Sequence, residues 1–138
     1  MAEDGTQHGP FDLILVADGR RTIRSDLKPR IPAYEYDYPY GCLWAILPDV
    51  EGEFSQHPQL FQRVSARVPN KMLGFLPTGR TTRMTDSDPG MVSLFWSLEM
   101  NTVDETKRRG LTAWKDELLR LEPRSASLLD QIEDFDQL

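Results

Sequence analysis

The residues with most chemical content stand near the start of the chain, where Asp12-Leu-Ile-Leu-Val-Ala-Asp18-Gly19 runs straight into Arg20, Arg21 and Arg24. An apolar run bounded by Asp and closed by Ala-Asp-Gly predicts a strand buried on both faces, ending in a tight turn. Gly19 there lets backbone approach a ligand where a Cβ would clash. Lys28 and Arg30 extend the basic cluster. It reads either as a solvated face or as a phosphate-facing rim beside the Asp-Gly turn.

A second set lies near residue 95. Val92, Leu94, Trp96 and Leu98 alternate with Ser93, Phe95 and Ser97, which predicts a strand with one fully apolar face. Its other face, with two hydroxyls and a flat ring, suits the pocket of an aromatic substrate. Gly41-Cys-Leu-Trp-Ala-Ile-Leu47 is apolar on both faces and predicts a central strand. Tyr40, Cys42, Trp44 and Ile46 compete with Leu43, Ala45 and Leu47 for the pocket side, with Trp44 the natural aromatic candidate. Alternation alone leaves that choice open.

Other chemistries find little support. Gly74-Phe-Leu-Pro-Thr-Gly79-Arg80-Thr81 approaches a phosphate-binding loop, but Arg80 replaces the required Lys and the following segment is rich in turn residues, not helix formers. Arg80 and Arg83 read as solvated loop arginines, with a substrate carboxylate as the alternative partner. His8 and His57 sit in polar segments, no Cys/His cluster has metal-ligand spacing, and Cys42 reads as a core residue. No catalytic residue and no metal ligand is assigned.

The elements that must position these residues follow from period and punctuation. Residues 1–10 form a loose lead-in, and Ile23–Leu27 permits a short helix before Pro29 and Pro32. Pro48 and Asp49-Val-Glu-Gly-Glu53 predict a turn, Leu60–Val68 and Met72–Leu76 two further strands. Thr102-Val-Asp-Glu105 is a capping-box signature, and Leu111, Trp114, Leu118 and Leu121 carry an amphipathic helix to about Leu121. Pro123 opens a shorter helix over 125–135. Strands followed by helices predict an α+β fold: an antiparallel β-sheet covered on one face by C-terminal helices.

Composition bounds the function. The 138 residues are 39% hydrophobic and carry a net charge of −6, enough chain for one core and the wrong sign for general nucleic-acid binding. A single cysteine fits a reducing cytoplasm, and no apolar stretch approaches a membrane span.

The Asp12–Gly19 run resembles the Asp-Gly motif of FAD-dependent aromatic hydroxylases and related flavoprotein monooxygenases. Thr22 stands where that family has Ser, and either Arg24 falls one residue short of the family's arginine spacing or Ser25 stands in the arginine's place. The order of the Asp-Gly strand, the 40–47 strand, Phe75-Leu-Pro77, Ser93-Leu-Phe-Trp-Ser97 and Gly110-Leu-Thr-Ala-Trp114 is similar to the family's middle segment. The resemblance implies that residues 1–30 are the tail of an FAD-binding domain and 31–138 a substrate-binding domain. It places Asp18, Gly19, Arg21 and Arg24 beside the dinucleotide, and Trp44, Ser93, Phe95 and Ser97 at the pocket of a small aromatic or apolar substrate. FAD is the implied cofactor and NAD(P)H the co-substrate, with dioxygen activated by the reduced flavin. Neither a Gly-x-Gly-x-x-Gly upstream nor the family's Gly-Asp motif downstream is present. The chain then reads as the interior of a longer enzyme whose flanking parts complete the FAD domain. The alternatives are a non-catalytic α+β module binding an apolar ligand or a partner protein through a sheet face, and a structural fragment without activity.

Overall fold

Period-two alternation sets four strands: β1 (Tyr40–Asp49), β2 (Phe61–Val64), β3 (Met72–Gly79) and β4 (Gly90–Glu99). The structure, a computed structural model, describes residues 5–13, 15, 17, 36–65, 71–80 and 83–138. The chain divides into two units, Met1–Asp37 and Tyr38–Leu138. All four strands lie in the second, paired antiparallel in the order β1-β4-β3-β2. β2, β3 and β4 form a meander, and the 50–60 connection carries the chain from one edge to the other. Among the described residues β1 is therefore an edge strand, not the expected central one. Its odd-numbered apolar residues are buried under the helices, whereas Cys42, Trp44 and Ile46 on its other face are exposed. Pro48, expected in a turn, continues β1 opposite Met91, a position an edge strand tolerates because the missing N–H costs the sheet no ladder bond.

Register decides which residues share a face. Leu43, Ala45 and Leu47 of β1 align with Trp96, Leu94 and Val92 of β4, and these with Leu73 and Phe75 of β3. All are buried. Onto this face pack the helices α1 (Val103–Arg109), α2 (Leu111–Leu121) and α3 (Ala126–Asp130). Trp114, Leu118, Leu128, Leu129 and Ile132 fill the core with the sheet residues, and Leu111 and Leu121 flank it, half-buried. The result is the expected α+β fold: an antiparallel sheet with helices on one face.

Three local expectations are corrected. The continuous helix from Thr102 is split at Gly110, whose φ of 88° is open to glycine and ends α1 before α2 begins. Thr102 makes no capping bond. It closes a 3-10 turn over Met100–Thr102, and its hydroxyl is turned back to donate to the Glu99 carbonyl at 2.7 Å. A capping box forms instead at Asp134 and Gln137. The 125–135 helix is shorter than expected: a 3-10 turn with Pro123 at its start, α3, and a second 3-10 turn over Phe135–Gln137.

The 50–60 connection is built on Asp49. Its buried carboxylate accepts from the N–H groups of Phe54 at 2.8 Å and Ser55 at 2.7 Å. That turn swings Phe54 into the core, stacked on Phe75 with ring centroids 4.1 Å apart.

In the first unit the expected buried strand is not found at the described positions. Asp12, Leu13, Leu15 and Ala17 have no strand pairing and are exposed, Leu13 by 75% and Leu15 by 83%. Ile14, Val16, the Asp18-Gly19 turn, the basic cluster and the 23–27 segment lie outside the described residues, as do 66–68 of the strand expected over Leu60–Val68.

Candidate functional site

The sheet face away from the helices carries the sequence-predicted pocket residues. Ladder pairing places Trp44 directly opposite Phe95, and Phe95 opposite Gly74, in one row across three strands. The row on one side holds Cys42, Ser97, Met72 and Val64, the row on the other Ile46, Ser93 and Leu76. Trp44, Ser93, Phe95 and Ser97 thus share one face. Sequence left open which side of β1 joined them, and the register assigns Trp44 because its parity matches that of Phe95 on a directly paired strand.

Each side chain is held by a specific contact. The Trp44 indole N–H donates to Ser93 Oγ at 2.5 Å, bracing the ring across the strand pair. The Phe95 ring lies over Gly74, where any Cβ would run into it, so glycine serves here for close approach. Ser97 Oγ accepts from the Met72 N–H at 2.9 Å and donates to the Met72 carbonyl at 3.3 Å, which turns its hydroxyl toward β3. Trp44 is 49% exposed, and Ile46, Val64 and Leu76 are exposed elsewhere on the same face. At the Ser97 end, Tyr38, Tyr40, Val64, Lys71, Met72 and Ser97 line a cleft of about 330 Å³. Cys42 is exposed on this face, not in the core, because the even-numbered positions of β1 all point away from the helices.

Gly74, Tyr38, Val64 and Met72 were missed by sequence reasoning. The sequence argues against a phosphate loop at Gly74–Thr81, and Gly74 and Gly79 both lie in β3; only the register of Gly74 with Phe95 reveals its role. Arg80 folds back on its own hairpin, Nε donating to the Asp88 carbonyl at 3.0 Å. Asp88 is held below the ordinary carboxylate range by the Thr85 backbone N–H and hydroxyl. Arg83 is exposed.

A second cleft of about 400 Å³ is lined by Glu53, Phe54, His57, Phe61 and Arg124 with neighbouring loop residues. Its cation is committed to the fold. Arg124 Nε donates to Glu122 at 2.8 Å, and its guanidinium lies over the Phe54 and Phe61 rings at 5.3 and 4.8 Å. The near-buried Glu122 also receives Arg63 Nε at 3.1 Å. Hydrogen bonding from Arg124 outweighs burial and holds Glu122 below its ordinary pKa.

Among the described residues no cluster of His, Cys, Asp and Glu could hold a metal ion, and no helix is long and apolar enough to cross a membrane. The cofactor residues of the sequence reading, Asp18, Gly19, Arg21 and Arg24, lie outside the described residues. The arrangement that is described offers a flat apolar surface on which a planar molecule can seat. Comparisons of the chain with family models, with curated proteins and with solved structures found no match.

Proposed function

We propose that the chain is the substrate-binding segment of an FAD-dependent, NAD(P)H-using monooxygenase or hydroxylase of a small aromatic or apolar molecule. In this reading it acts in the cytoplasm as part of a longer polypeptide. The observation that carries it is the gathering of Trp44, Ser93, Phe95 and Ser97 on one open sheet face, backed by a helix-covered core. The resemblance of Asp12–Gly19 to the flavoprotein Asp-Gly motif supports it independently.

When bound, the flavin supplies the oxygen activation, and the protein supplies binding, orientation and a dry surface. Here that surface is the Trp44–Phe95 shelf. The Trp44–Ser93 hydrogen bond fixes the indole before any ligand arrives, so little ordering is left to oppose binding. Asp18, Gly19, Arg21 and Arg24 take the dinucleotide side in this proposal. A non-catalytic module using the same face is the second reading, favoured by the openness of the face at Trp44, Val64 and Leu76.

The test uses the longest reading frame that contains these residues. The purified protein is expected to carry flavin, with Asp18→Ala lowering flavin content or slowing NAD(P)H-driven reduction. Phe95→Ala is expected to change substrate affinity or the coupling of NAD(P)H oxidation to product while flavin stays bound. Flavin content and stopped-flow reduction unchanged in Asp18→Ala would leave the binding module as the better reading.

A further inference from the structure

The outer face is as informative in the charges it lacks as in the rings it carries. From the Cys42–Ser97–Met72 row to the Ile46–Ser93–Leu76 row, no strand residue of this face is charged among the described residues. Its two hydroxyls are turned into the sheet, Ser93 toward the Trp44 indole and Ser97 toward the Met72 backbone. Among the described residues, the charges at its rim do not favour an anion. Lys71, which borders the cleft, gives its ammonium to Glu117 of α2 at 2.7 Å, and Glu117 is also bound by Arg109. Glu99, beside the cleft, accepts from the Tyr40 hydroxyl at 3.2 Å and presents a carboxylate of its own.

A bound carboxylate needs a cation or convergent N–H donors to replace its water, and without them burial strongly disfavours the charged form. This face supplies a flat ring, an indole edge and aliphatic side chains. The adjoining cleft of about 330 Å³ has the size of a small-ligand pocket. We propose that the ligand of this face is an uncharged, planar, apolar molecule, seated on Trp44 and Phe95 and reaching toward the Tyr40–Met72 cleft, and that carboxylates of the same shape are rejected. The inference rests on the reading of the outer face as a ligand wall, and it holds whether or not a flavin lies opposite.

The experiment titrates the chain at neutral pH by calorimetry with 2-naphthalenemethanol and, separately, with 2-naphthoate, two probes that share a ring system and differ in charge. The alcohol is expected to bind at least tenfold more tightly. Trp44→Ala and Ile46→Lys alter exposed side chains, so the fold is retained, as circular dichroism can check. Trp44→Ala is expected to weaken the alcohol about tenfold, and Ile46→Lys to raise naphthoate affinity at least tenfold by placing an ammonium on the face. Equal binding of the two probes by the parent chain would overturn the charge inference and leave the ligand wall standing. No binding of either, or tight binding indifferent to Trp44→Ala, would overturn both.

Discussion

At Gly74 a missing carbon shapes the site. The Phe95 ring occupies the space a Cβ would need, so the flatness of the outer face depends on that residue having no side chain. Gly74→Ala is expected to push the ring off the sheet and destabilise the domain by about 1–3 kcal/mol, the usual cost of overpacking. Phe95→Ala added to it should recover part of that loss, because the clash has a single partner. Denaturant melts of the two single variants and the double variant measure the coupling. Strictly additive losses would show that the ring does not depend on Gly74.

Between elements, Glu122 ties the layers together. It ends α2, accepts from Arg124 in the next turn, and reaches Arg63 on β2, so one carboxylate joins the sheet edge to the helical layer. Its pKa is lowered from an ordinary 4.5, chiefly by the Arg124 hydrogen bond. The folded state therefore binds a proton less readily than the unfolded state. The stabilisation is fully present above about pH 4.5 and is lost as pH falls through the depressed folded value. Glu122→Gln should lower stability at neutral pH and flatten its acid limb. Urea melts across pH 3–6 give both quantities as orders of magnitude, and an unchanged acid limb in the variant would remove Glu122 from this role.

Over the whole molecule, one sheet separates two environments, and a pair of tryptophans reports on them. Trp114 of α2 is buried against the covered face, whereas Trp44 stands half-exposed on the open one. Trp114→Ala is expected to cost about 3–5 kcal/mol, as large-to-small aromatic changes in cores do. Trp44→Ala loses a cross-strand contact and one hydrogen bond, and should cost about 1 kcal/mol or less. Thermal or denaturant melts compare them directly. Similar losses would show that the open face is covered in solution and that its availability to a ligand is wrongly assigned.

The sequence by itself determined the class of fold and the interior of its second half. The alternation of Val92, Leu94, Trp96 and Leu98 and the helical spacing of Trp114 and Leu118 are local signals, and burial follows them because each apolar set has only one way to leave water. Tertiary structure alone decided the side of β1 that joins the candidate site. Cys42, Trp44 and Ile46 are as apolar as Leu43, Ala45 and Leu47, so alternation cannot choose between them. Pairing with β4 chooses, because register is a relation between segments about fifty residues apart. The same is true of Gly74, whose purpose is set by a ring on the neighbouring strand. Residues that act through their own periodicity were legible in sequence, and residues that act through a partner far along the chain became legible only when the sheet brought that partner alongside.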